Sequence, residues 1–154
     1  MGHRALTEGD PMPDLSLIQA QTIAAAALAE ARRLSLKPMV VAVLDSRGAY
    51  KALAAEDGTS LKRAEIAHGK AHGALSLGMG SRAIAKRAAE QAFFVAAVTH
   101  AAGGALVPVP GGILIRDAGG ALLGAVGLSG DTSDNDEAAG LVGIAAADLA
   151  ADPG

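Results

Sequence analysis

His68 and His72 are the residues whose types and spacing suggest chemistry, and they lie in the stretch "IAHGKAHGA", residues 66 to 74. Side chains at positions i and i+4 of a helix share one face, about 6 Å apart. Neutral imidazoles there could each donate one nitrogen to a metal. A zinc site requires a third protein ligand, which the neighbouring sequence does not supply, whereas haem iron needs one axial histidine. The alternative is two histidines on a solvated or subunit-facing helix surface.

Lys70 and Gly112 are two further candidates for contact with a ligand. The Lys70 ammonium could pair with a carboxylate or a haem propionate, or it could be an ordinary exposed charge. Gly112 ends the stretch "VPVPGG", and without a Cβ it allows a ligand or another part of the chain to come close. The alternative there is an irregular loop leading into a strand.

The acidic run "SGDTSDNDE", residues 129 to 137, is a third feature with chemical potential. It lacks the ligand spacing of an EF-hand, and negative side chains at a helix N-terminus are stabilising in themselves. It is either a charged helix cap or a polar wall of a ligand site.

Composition excludes several classes of protein. The chain has 154 residues, a net charge of −3 and no Cys, so thiolate nucleophiles, disulfides and Cys-ligated metal sites are absent. Lys and Arg are scattered, and the aromatic residues are limited to Tyr50, Phe93 and Phe94, which argues against nucleic-acid binding. No secretory signal or membrane-spanning segment is visible, so a cytoplasmic protein is expected.

The pattern along the chain predicts an α+β fold with an antiparallel sheet covered by helices. Residues 1–14 are predicted to be a flexible tail, and residues 15–154 a single domain. A helix, a hairpin, three helical pieces, a second hairpin and a closing helix over residues 133–150 follow in order. Ser133 is the predicted N-cap of the closing helix.

Two long stretches resemble the GlcG/HbpS-like family, which includes haem-binding proteins and the C-terminal domain of PduO-type proteins. They are "LVPVPGGILIRDAGGALLGAVGLSGDTSDNDEAA" (106–139) and "KPMVVAVLDSRGAYKALAAEDGTSLKRAEIAHGKAHGALSLGMGSR" (37–82). The resemblance covers residues 15–150. It implies a profilin-like, five-stranded antiparallel sheet flanked by helices in three layers, and a homo-oligomer. Some members bind haem, and some of those are credited with haem degradation or iron binding.

The chain departs from the family pattern in two places. Arg63-Ala64-Glu65 stands where the family usually has Arg-Pro-Asp. The family pattern fixes Gly69-Lys70-Ala71 but not the flanking histidines, so no family function transfers onto His68 or His72.

Two functions are therefore expected from the sequence. The first is binding of haem or another tetrapyrrole, with His68 or His72 as ligand and Lys70 near the propionates, although aromatic residues to stack on the macrocycle are scarce. The second is an enzyme or accessory protein for a small organic acid, with Lys70 and Gly112 binding the carboxylate and Glu65 or a histidine moving a proton.

Overall fold

A computed structural model describes residues 14–154, which form five helices and one five-stranded antiparallel sheet of order β2-β1-β4-β3-β5. The predicted tail comprises residues 1–14, and residues 1–13 of it lie outside the described residues. In chain order the elements are α1 (Leu17–Arg33), β1 (Val40–Asp45), β2 (Tyr50–Ala55), α2 (Arg63–Leu77), α3 (Ser81–Glu90), α4 (Ala92–Ala101), β3 (Gly112–Arg116), β4 (Leu122–Ser129), α5 (Ser133–Ala146) and β5 (Ala150–Asp152).

Helices cover both faces of the sheet. Successive side chains of a strand point to opposite faces, and every residue of β1 is buried, so both of its faces are covered. Val41 and Val43 pack with Ile23 of α1 and Ile144 of α5. Leu44 packs with Ala71 of α2 on the other face. The predicted α+β arrangement, a profilin-like sheet flanked by helices in three layers, is confirmed.

Two glycines let α2 lie directly on the sheet. Gly112 of β3 and Gly127 of β4 are paired across the sheet. A Cβ on Gly127 would overlap the carbonyl oxygen of Ala67, and one on Gly112 would overlap the carbonyl oxygen of Lys70. The close approach that Gly112 permits is therefore that of the α2 backbone.

The start of α5 differs from the prediction. Thr132, not Ser133, is the N-cap: its backbone is extended, and its side-chain oxygen accepts a hydrogen bond from the amide of Asn135 at 3.3 Å. Ser133 is the first helical residue. The prediction of Ser133 as N-cap is wrong because an N-cap needs non-helical backbone, and that conformation occurs one residue earlier.

The C-terminal end also differs from the prediction. The closing helix ends at Ala146 rather than continuing to Ala150. Residues 150–152 form the short edge strand β5, which pairs with β3. No helix within residues 14–154 is long and apolar enough to cross a membrane.

Candidate functional site

Three aromatic rings stack along one face of α2. The ring centroids of His68 and His72 lie 5.3 Å apart with an interplanar angle of 28°. Tyr50, the first residue of β2, stacks on the other side of His68 at 5.0 Å and 29°. The two imidazoles thus share one face of α2, as the spacing predicts. The contribution of Tyr50 could not be found from sequence, because it depends on how β2 lies against α2.

His68 lines an open pocket of about 290 Å³. We call this the His68 pocket; its lining residues are Tyr50, Glu65, His68, Gly103, Gly104 and Ala105. Within residues 14–154 no hydrogen bond involves either ring nitrogen of His68. Burial, and to a smaller extent the charge of His72, lower the pKa of His68. A half-buried imidazole of this kind is neutral near pH 7 and keeps a free lone pair.

His72 is oriented by a hydrogen bond. Its Nδ1 lies 2.8 Å from the carbonyl oxygen of Ala105. A carbonyl can only accept, so Nδ1 carries the hydrogen and Nε2 of the neutral ring keeps the lone pair. Such an Nδ1–H to carbonyl bond is the usual way in which a protein fixes the tautomer of a metal-binding histidine.

The glycines of "HGKAHG" bring a loop against α2. The amide of Val107 donates to the carbonyl oxygen of Gly69 at 3.1 Å. A Cβ on Gly69 would lie 2.7 Å from a Val107 methyl, and one on Gly73 would lie 2.8 Å from Leu106. These glycines therefore allow residues 103–107, the pocket wall, to close one side of the His68 pocket. Their spacing of four residues is the sequence feature that could have predicted this contact.

Lys70 and Gly112 do not line the His68 pocket. The Lys70 side chain is 2% exposed, and its Nζ lies 3.1 Å from Oδ2 of Asp136, which is 1% exposed. The pair connects α2 to α5. Burial lowers the pKa of Lys70 and raises that of Asp136.

The acidic run is engaged with protein partners. The carboxylate of Asp131 accepts hydrogen bonds from the amides of Lys37 and Thr132 and from the Asn135 side chain, which lower its pKa to about 2. Arg82 of α3 binds both Asp134 and Glu137. Among residues 14–154, no three His, Cys, Asp or Glu side chains are grouped so that they could hold a metal ion.

A larger groove of about 410 Å³ lies between α1 and β2. Its polar side chains are Gln21 and Lys51, and the rest of its lining is apolar. Neither side chain is a usual metal or haem ligand, so the candidate site is the smaller His68 pocket.

Comparison with known proteins identifies the family to which the chain is related. The sequence model of the family described as "Haem degrading protein HbpS-like" matches residues 15–145. The chain belongs to the HbpS-like family. The resemblance inferred from the sequence is thereby confirmed. No curated protein sequence gives a match.

Solved structures share the HbpS-like fold. HbpS is 26% identical to this chain with a TM-score of 0.75, and the match covers 93% of this chain and 97% of HbpS. A double mutant of Streptomyces reticuli HbpS is also similar. The PduOC–haem complex is 23% identical with a TM-score of 0.79, covering 89% and 97%. Protein ORFY of Klebsiella pneumoniae is 22% identical with a TM-score of 0.80, covering 94% and 98%.

Proposed function

We propose that this HbpS-like protein binds haem, with His68 as the axial ligand. The observation that carries the proposal is a half-buried imidazole that lines an open pocket, forms no hydrogen bond within residues 14–154 and is held neutral by its surroundings. Haem iron takes a neutral imidazole nitrogen as a proximal ligand. The family description and the haem bound to the PduOC structure support the same ligand class.

The residues present fit one side of a haem. Cofactor pockets usually measure about 300–1,000 Å³, so the His68 pocket at about 290 Å³ would receive one edge of the macrocycle. Tyr50 offers an aromatic ring beside the ligand. Lys70 has no part in this arrangement, because its ammonium is buried against Asp136. Bound haem would supply redox-active iron, and we propose haem handling, including degradation, as the wider role.

We also propose that the protein is a cytoplasmic homo-oligomer. Large apolar side chains are exposed, among them Ile18 of α1 at 77%, Leu61 in the segment before α2 at 86% and Phe93 of α4 at 80%. Contact between copies of the chain would remove these side chains from water, and most soluble oligomers are assembled from identical subunits. A second subunit would also cover the part of the macrocycle that the His68 pocket leaves in solvent.

A haem titration of four proteins tests the proposal. Wild type should give a saturable shift of the Soret band, and His68→Ala should lose it. His72→Ala should retain a weaker complex, and His100→Ala, which changes an exposed histidine on α4, should bind like wild type. The double change of His68 and His72 to Ala guards against substitution of one ligand by the other. A wild-type spectrum in that double variant would contradict the proposal.

The alternative function, action on a small organic acid through Lys70 and Gly112, has no support in the structure. The Lys70 ammonium is occupied by Asp136, and Gly112 lies beneath the backbone of α2.

A further inference from the structure

A second pocket, of about 200 Å³, lies next to the start of α2. Its polar lining consists of Lys37, Thr59, Ser60 and Arg63, with glycines and Pro38 between them. We call it the Arg63 pocket. It has no carboxylate in its lining, whereas the His68 pocket contains Glu65 and a pocket at Arg32 contains two acidic residues.

The Arg63 guanidinium has more hydrogen-bond donors than its protein partners within residues 14–154 accept. Its Nη1 donates to Oγ of Ser129 at 3.1 Å, and Ser129 is fully buried, so the half-buried guanidinium is held in place. A guanidinium has five N–H donors. Within residues 14–154, Arg63 forms no ion pair with a carboxylate, unlike Arg32 and Arg116.

The charged side chains that line the Arg63 pocket are both cationic. Lys37 and Arg63 both line it. Asp131 of the α5 cap is ionised, but it is outside the lining, and its oxygens already accept from the backbone amides of Lys37 and Thr132 and from the Asn135 side chain. The Ser60 hydroxyl adds a further donor at the rim.

From these observations we infer that the Arg63 pocket binds a small oxyanion, the carboxylate or phosphate group of a small molecule. The planar fork of Arg matches both groups and binds them through paired, charge-assisted hydrogen bonds. A volume of about 200 Å³ admits a ligand of a few atoms. The site is independent of haem binding, so it can be tested on haem-free protein.

The test is a titration followed by backbone amide NMR, with inorganic phosphate in one series and acetate in another, at constant ionic strength set by sodium chloride. The amides of Thr59, Ser60 and Arg63 should shift and saturate. Tighter binding of phosphate identifies a phosphate-bearing ligand, and equal or tighter binding of acetate identifies a carboxylate. Shifts that stay linear in both series, as for sodium chloride alone, would overturn the inference.

Variants assign the binding to the pocket. Arg63→Gln should weaken binding at least about tenfold, because a hydrogen-bonded charge partner is lost. Lys37→Gln changes an exposed side chain whose ammonium forms no hydrogen bond or ion pair within residues 14–154, and it should weaken binding several-fold. Arg87→Gln removes the same charge from α3, outside the pocket, and should leave the affinity within about twofold. Unchanged affinity in both pocket variants would overturn the inference.

Discussion

A half-buried imidazole such as His68 holds its proton less tightly than one in water. Burial and the charge of His72 both lower its pKa, so protonation occurs below the ordinary value of about 6.5. The neutral ligand form therefore persists as pH falls through 6.5. We expect the haem complex to dissociate with a midpoint below pH 6.5, followed as loss of the shifted Soret band. A midpoint above 6.5, or the same curve in His68→Ala, would contradict the assignment.

The same pKa shift makes a contribution to stability. The unfolded chain binds a proton at about pH 6.5, and folded His68 binds it only at lower pH. Since the unfolded state then holds more protons between the two pKa values, stability decreases as pH falls through that window. His68→Ala should show a smaller decrease than wild type in urea unfolding between pH 7 and pH 5, with His100→Ala as the reference.

Lys70 and Asp136 form a buried pair whose members depend on each other. Removing one partner of such a pair leaves an uncompensated buried charge and costs about 3–5 kcal/mol. We therefore expect Lys70→Met to lower the free energy of unfolding by about that amount. Combining it with Asp136→Asn, which removes the charge but can still accept the Asp131 amide through its side-chain oxygen, should recover part of the loss. Additive losses in the double variant would show that the two side chains do not interact.

Sequence reasoning placed the histidines correctly on one helix face but could not place Lys70. The i, i+4 rule depends on the helix alone. Burial of a lysine is rare and needs a partner, and Asp136 lies 66 positions away in the chain. Only the fold brings α2 and the start of α5 together.

At the scale of elements, the N-cap of α5 gives two adjacent hydroxyl residues, Thr132 and Ser133, different roles. Thr132→Ala removes the side chain that accepts the Asn135 amide, so it should destabilise the protein by about 1 kcal/mol. Ser133→Ala is the matched control and should change stability by less than about 0.5 kcal/mol. Thermal unfolding of both variants measures the difference, and the reverse order would place the cap at Ser133 after all.

The contact between α2 and the sheet permits no side chain at Gly127. A methyl group there overlaps the Ala67 carbonyl, and backbone cannot give way as a flexible side chain does. Gly127→Ala should cost about 3 kcal/mol or more. Gly119→Ala lies in the β3–β4 turn, where the added carbon meets its nearest atom at 3.4 Å, and should be nearly neutral. Similar unfolding midpoints for the two variants would mean that α2 lies further from the sheet.

The elements differ in how much of them the sequence determines. The β-branched run of β1 and the turn after it are local features, so the first hairpin was predictable. Strand β5 has three residues, two of them Ala, and exists because β3 offers an open edge. Thr132 and Ser133 are both favoured N-cap types, Ser somewhat more than Thr, and the backbone conformation at the start of α5 selects Thr132.

At the scale of the whole molecule, the proposed homo-oligomer can be tested directly. Static light scattering at micromolar concentration should give a mass that is a multiple of 15.1 kDa. Phe93→Ser and Leu61→Ser remove exposed apolar side chains and should lower that mass if their surfaces form contacts. A wild-type mass of 15.1 kDa, that of the monomer, would contradict the proposal.

The pocket wall, residues 103–107, has a consequence for motion. It begins with two exposed glycines at positive φ, 71° and 87°, and is then attached to α2 through Ala105, Leu106 and Val107. Opening the wall must break two hydrogen bonds to α2 and expose Leu106, which is buried against Ile84 and Val95. Strand β4, in contrast, is paired on both sides. In deuterium exchange the Val107 amide should therefore exchange by local opening, long before the amides of β4, which require global unfolding. Haem on His68 would slow the exchange at Val107, and the opening rate of this short segment would set how long a bound ligand stays.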